Sequence, residues 1–296
     1  MRKAFIQLHL AVFLAGFTGI LGRLITLNEG LLVWYRLLLT SVSLWLLYFF
    51  QKKLKKLSFK DIMAIVGVGA IVALHWVTFY ASVKKANVSV ALVCFSALAF
   101  FTAILEPIIF KTRFQRTDIF LGLLAILGIY IIFNFDPQYK TGIIFGIVSA
   151  MLAALFPILN WKLLQKHSAE TVTLYELSGG FIVLTILLPL YLHFSPADYL
   201  IPNFSDWMWL LVLAWLCTVL AFNLSLNALR KISAFTVNLS YNLEPVYGIL
   251  LAFIVYHENK KLGLSFYIGL ALIMLAVGLQ MWRVWRSRGR PATAAV

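Results

Sequence analysis

The chain has 296 residues, of which 62% are hydrophobic and 12% charged, and its mean hydropathy is +0.92. Soluble domains are about 45–50% apolar and about 25% charged, so this composition excludes a soluble globular protein and predicts an all-α polytopic membrane protein. A net charge of +14 would fit a nucleic-acid binder in a soluble chain; here the cations sit in short breaks between apolar runs, where they set orientation, and no nucleic-acid partner is expected.

Ten apolar runs are predicted as spanning helices, because a backbone in lipid satisfies its polar groups internally only in a helix or a closed barrel. The first, 4–27, follows Met1, Arg2 and Lys3 as a signal peptide would, but it exceeds a signal core and lacks a small-x-small cleavage site. It is read as a retained span, with Gly16, Gly19 and Gly22 as packing or hinge positions. Span 2 (30–50) carries Tyr35 and Arg36, and span 3 (61–83) carries His75, Trp76 and Tyr80. Span 4 (88–110) places Leu98, Thr102 and Glu106 at i, i+4 spacing, with Pro107 next to Glu106. Span 5 covers 117–135. Span 6 (142–163) holds a GxxxG at Gly142 and Gly146 and a predicted kink at Pro157. Span 7 (171–193) carries Glu176, and span 8 (207–229) sets Asn223 and Asn227 on one face. Span 9 (233–256) carries Asn238, Tyr241, Glu244 and Pro245, and span 10 covers 263–283.

Charges at the centre of a bilayer cost roughly 2.5–3.5 kcal/mol on insertion scales, so intramembrane ionisable residues are functional candidates by default. Glu244 beside Pro245 is a candidate for holding an amine or a proton, with a helix-packing role as the alternative. His75 can relay protons or serve as a neutral core residue; Trp76 and Tyr80 form an aromatic wall or ordinary packing. Asn223, Asn227, Asn238 and Tyr241 are candidate substrate contacts, or hydrogen-bonding partners between helices. Arg36, Glu176, Glu106, Pro107, Pro157 and Pro245 are assigned to gating or scaffold roles, with holding a carboxylate the alternative for Arg36 and substrate contact the alternative for Glu106. Cys94 and Cys217 lie in apolar runs without metal or redox spacing, and no metal or cofactor is expected. Trp207, Trp209, Trp282 and Trp285 sit where interfacial belts belong.

Most of the 25 Lys and Arg residues fall in the breaks on the side of the N-terminus, against Lys84, Lys85, Lys140, Lys260 and Lys261 on the other. This bias predicts that both termini are cytoplasmic. The chain also reads as a duplication. Tyr35–Arg36 recurs as Tyr175–Glu176, Lys84–Lys85 as Arg230–Lys231, and the polar break 111–117 as 257–263. Five spans per copy is an odd number, so the second copy enters from the opposite side: an inverted repeat, 1–138 and 139–296, with a transporter's site at the repeat interface. An intramembrane lipid-modifying enzyme would need a clustered catalytic set, whereas His9, His75, His167, His193 and His257 are dispersed. A channel would need a filter loop, and no re-entrant segment is evident.

The order of these features resembles the EamA type of the drug/metabolite transporter superfamily. The resemblance rests on Ala221, Phe222, Leu224, Ala228, Leu229, Ile232, Ser233 and Ala234, then Leu243 to Gly248 with its Glu244–Pro245 pair. It continues through the turn His257–Glu258–Asn259 to the glycine-bearing helix Gly269 to Gly278, and Arg36 matches an arginine early in the family's second helix. The chain departs from the pattern in two places. Leu98 and Ala99 stand where the first half would match Glu244 and Pro245, and His257 replaces a glycine. The resemblance implies alternating access by two rocking five-helix halves, a cavity lined mainly by spans 1, 3, 4, 6, 8 and 9, and small-metabolite cargo, typically amino acids and related compounds moved outward.

Overall fold

The computed structural model describes residues 2–52, 56–232, 234–241 and 243–287, and every regular element among them is helical. The first span is α1 (Arg2–Gly16) and α2 (Thr18–Leu24), the second α3 (Glu29–Phe50), the third α4 (Phe59–Lys85). The fourth is α5 (Val88–Phe95) and α6 (Leu98–Phe110), the fifth α7 (Arg116–Phe135), the sixth α8 (Lys140–Leu163) and the seventh α9 (Ala169–Phe194). The eighth joins α10 (Phe204–Ala214) to α11 (Ala221–Leu229) through a π-helical segment, Trp215–Leu220. The ninth is α12 (Ala234–Tyr241) and α13 (Leu243–Tyr256), and the tenth α14 (Leu264–Ser287). Spans one to eight are long and apolar enough to cross a membrane, and shorter apolar helices, Leu243–Tyr256 and Leu264–Leu279, supply the last two. The part of the basic tail at Arg288 and Arg290 lies outside the described residues.

The helix starts are written in side chains. Asn28, Ser58, Asn87, Ser168 and Asn203 each accept a backbone N–H from the first turn that follows, the usual N-cap arrangement. Asn28 and Ser168 stand 140 positions apart, and Ser58 and Asn203 145. Lys111 and His257, 146 apart, both adopt left-handed backbone after the fourth and ninth spans, with φ of 55° and 52°. That conformation favours glycine, which has no Cβ to clash.

Packing follows the same correspondence. The third span lies against the sixth and the first against the eighth, while 2 with 7, 4 with 9 and 5 with 10 pack as pairs. The fifth–tenth pair, and the crossing of the third span with the seventh, bring backbones together. A Cβ on Gly69 would stand 2.0 Å from the Glu176 carbonyl oxygen, and one on Gly128 would stand 2.6 Å from that of Gly269. In lipid, where no hydrophobic force drives helices together, small residues at crossings give the close packing that does.

The spans are less regular than their apolar runs predict. Phe17 separates α1 from α2, its N–H turning to the Leu14 carbonyl (3.3 Å) while the Thr18 hydroxyl takes that of Ala15 (2.7 Å). At Ser96 and Ala97 the N–H groups reach back three residues, to Val93 and Cys94 (both 3.1 Å). The Thr218 hydroxyl donates to the Leu213 carbonyl (2.8 Å) within the π segment. By contrast, α8 runs continuously through Pro157; the imide removes one donor and leaves the Ala153 carbonyl without its usual helical partner.

Candidate functional site

The irregular segments surround one central cavity. Its walls are Ala15 and Thr18 beside the Phe17 break, Phe95 and Leu98 beside the Ser96–Ala97 break, Cys217, Ala221 and Phe222 at the π segment, and Tyr241 and Glu244 of the ninth span. His75, Trp76 and Phe79 of α4, Ala153, Phe156 and Pro157 of α8, and Arg36 of α3 complete it. Non-helical backbone at membrane depth is tolerated where it lines a cavity or is buried in protein, and π segments recur at functional sites. The cavity is narrow, about 70 Å³, which is space for a few waters when one needs roughly 10–15 Å³.

Arg36 is buried and held on every side. Its Nε donates to Thr218 Oγ1 (2.7 Å), Nη1 to Tyr80 Oη (2.9 Å) and Nη2 to the Cys217 carbonyl (3.4 Å). Its guanidinium also lies over the Trp76 ring at 3.6 Å, a cation–π contact. Tyr80 is fully buried behind it and fills the space that Gly22 leaves.

His75 reaches α8. Its Nδ1 stands 3.1 Å from the Ser149 carbonyl oxygen and 2.9 Å from Ser149 Oγ, and Ser149 Oγ donates to the His75 carbonyl (3.2 Å). A carbonyl only accepts, so Nδ1 carries the proton and the neutral ring keeps a lone pair on Nε2. The ring is flanked by Phe95 and Phe156, with centroids 5.7 and 6.1 Å away. Glu244 is buried, and its carboxylate has no hydrogen bond or ion pair among the described residues. Pro245 follows Glu244 directly in the ninth span.

The sequence candidates divide. Glu244, His75, Trp76, Tyr241, Arg36 and Pro157 line the cavity, with Tyr80 one layer behind. Asn223 and Asn227 do not: Asn223 Oδ1 accepts from Tyr48 (3.3 Å), and the two amides donate back along their own helix, to Val219 and Asn223 carbonyls (both 2.9 Å). Glu176 is buried in α9 and accepts from Asn160 Nδ2 (3.1 Å), away from Arg36. Glu106 and Pro107 lie on α6 outside the cavity lining. The side chain of Asn238 lies outside the described residues. Phe79, Phe95 and Phe156 line the cavity although the sequence did not single them out, and so does Phe222, which entered only through the family resemblance.

One end of the bundle, the end predicted to face outward, is tied shut. Glu258 pairs with Arg23 and accepts from the Val88 and Ser89 N–H groups (3.2 and 2.8 Å) and from Ser89 Oγ (2.6 Å). It thereby caps the N-terminus of α5, where a negative charge is favoured. Asp206 accepts from the Thr26 N–H (2.8 Å) and from Tyr199 (2.7 Å), and Lys84 Nζ donates to the carbonyls of Ile25 (3.1 Å) and Leu27. At the opposite end His167 Nε2 lies 3.6 Å from Asp61, and Lys3, Gln7, Asn227, Arg230 and Lys231 line a basic recess.

The model of the EamA-like transporter family matches residues 2–134 and again 140–282. An "uncharacterized transporter" of Haemophilus influenzae is 26% identical over 78% of this chain and 76% of its own. The uncharacterized transporter YetK of Bacillus subtilis is 25% identical over 92% and 84%. Human solute carrier family 35 member F3 is 25% identical over 69% of this chain and 50% of its own. A solved crystal structure superposes with a TM-score of 0.65 over 97% of this chain and 99% of that one at 14% identity, a likeness of fold alone.

Proposed function

The chain belongs to the EamA-like transporter family, and from that premise we propose that it is a secondary transporter of small metabolites in the cytoplasmic membrane, both termini inside. In this reading residues 1–138 and 139–296 are inverted halves that rock about the central cavity, carrying amino acids or related compounds outward. The observation that carries it is the cavity itself. Irregular segments of the first, fourth and eighth spans meet there around a buried carboxylate that accepts no hydrogen bond among the described residues, and transporters build sites from interrupted helices at a repeat interface. Glu244, His75, Trp76 and Tyr241 then contact cargo, and Arg36 holds the π segment in place.

The test compares metabolites in the medium of cells overproducing the parent protein, cells making Glu244→Gln at equal membrane level, and cells with neither. Metabolites that accumulate outside with the parent alone support export and place Glu244 in the mechanism. Equal export by parent and variant leaves Glu244 structural. Three coincident profiles overturn the export reading.

A further inference from the structure

The polar groups of the central cavity divide unevenly between donors and acceptors. Its one guanidinium is held in the wall: three of the five Arg36 N–H groups donate, to Thr218, Tyr80 and Cys217, and its face is covered by Trp76. The Thr18 hydroxyl donates to the Ala15 carbonyl (2.7 Å), His75 Nδ1 donates to Ser149, and the Tyr241 hydroxyl lies against Ser225. The accepting groups are less engaged. The Glu244 carboxylate is unengaged among the described residues, His75 Nε2 carries a lone pair, and Pro157 supplies no N–H to the Ala153 carbonyl on the same wall. A buried carboxylate that accepts no hydrogen bond is costly, with the Coulomb attraction of Arg36 a partial offset, and a cation that donates hydrogen bonds relieves it. Around these acceptors stand Trp76, Phe79, Phe95, Phe156 and Phe222, a lining whose ring faces attract cations and planar apolar groups.

We infer that the cavity recognises the ammonium end of an aromatic or apolar monoamine, seated between Glu244 and His75 Nε2, and that its one counter-charge for a cargo carboxylate, Arg36, is taken up in holding the wall. This rests on reading the cavity as the cargo site. It narrows the cargo to amines that lack the carboxylate of the corresponding amino acid.

The test is ligand-induced thermal stabilisation of the purified full-length protein in detergent, since a ligand that binds the native state alone raises its midpoint. The probes are phenethylamine, phenylalanine and phenylacetate, which share a ring and differ in charge. Phenethylamine is expected to raise the midpoint at a concentration at least tenfold below that needed for phenylalanine, with no shift from phenylacetate. Glu244→Gln is expected to lose the amine response, whereas Glu176→Gln, which alters a carboxylate outside the cavity, keeps it. Phenylalanine equal to or better than the amine, any stabilisation by phenylacetate, no amine response, or an amine response retained in Glu244→Gln overturns the inference. If the variant does not fold, the ranking on the parent decides. Binding and export are read separately, so a failed ranking with export intact rejects this cargo class alone.

Discussion

Arg36 does at the residue scale what lysine cannot: one planar fork bridges Tyr80 of α4 and both Cys217 and Thr218 of the π segment while its face rests on Trp76. Hydrogen bonds from charged donors contribute about 1.5–3 kcal/mol each, so Arg36→Lys is expected to lower stability by about 2 kcal/mol or more. Because the π segment forms one cavity wall, the variant is also expected to export poorly. An unchanged thermal midpoint with full export would refute this role. The sequence singled out Arg36, Glu244 and His75 because ionisable groups in lipid stand out by their cost. The cavity phenylalanines were not legible, since a phenylalanine in an apolar run looks the same whether it faces lipid, a neighbour or a ligand. Asn223 and Asn227 look like a shared polar face, yet their amides are engaged by backbone carbonyls one turn back, an alternative that spacing does not distinguish.

Element by element, the length of the apolar runs made the spans readable, but two of their interruptions had no such marker. Ser96–Ala97 and Trp215–Leu220 contain neither proline nor glycine, whereas Phe17 directly follows Gly16, read from the sequence as a packing or hinge position; at all three places side-chain and three-residue hydrogen bonds replace the regular ladder. Proline, the one interruption signal the sequence offers in span 6, sits in an unbroken helix at Pro157. Glycines are similarly ambiguous until neighbours are known. Gly67 and Gly69 lie two residues apart on α4, and a Cβ on Gly67 meets nothing within 4 Å, whereas one on Gly69 meets α9 backbone. Gly67→Ala is therefore expected to be neutral or to stabilise by up to about 1 kcal/mol through helix propensity. Gly69→Ala is expected to cost about 1–3 kcal/mol by wedging α4 from α9. Thermal unfolding of the two purified variants checks this, and equal midpoints would remove the crossing from the account.

For the whole molecule, the ties at one end define which way the cavity is shut. Glu258 and Asp206 reach from the second matched region onto backbone N–H groups of the first, at Val88, Ser89 and Thr26. Outward opening must break both. The double variant Glu258→Ala, Asp206→Ala is therefore expected to shift the population toward a form open at that end. Cys217 lines the cavity and Cys94 is buried against Gly146 outside it, so the native cysteines report this directly. In intact cells a membrane-impermeant thiol reagent should label Cys217 several-fold faster in the double variant, with Cys94 still protected. Labelling of both cysteines would indicate unfolding, and no change at Cys217 would show that the two carboxylates do not hold the gate.

The narrowness of the cavity bears on what crosses the membrane besides cargo. A chamber of about 70 Å³ holds few solvent molecules, and any that share it with an amine are displaced to make room. In the cycle proposed above, each turnover would therefore carry almost no solvent, and cargo would cross without an osmotic leak.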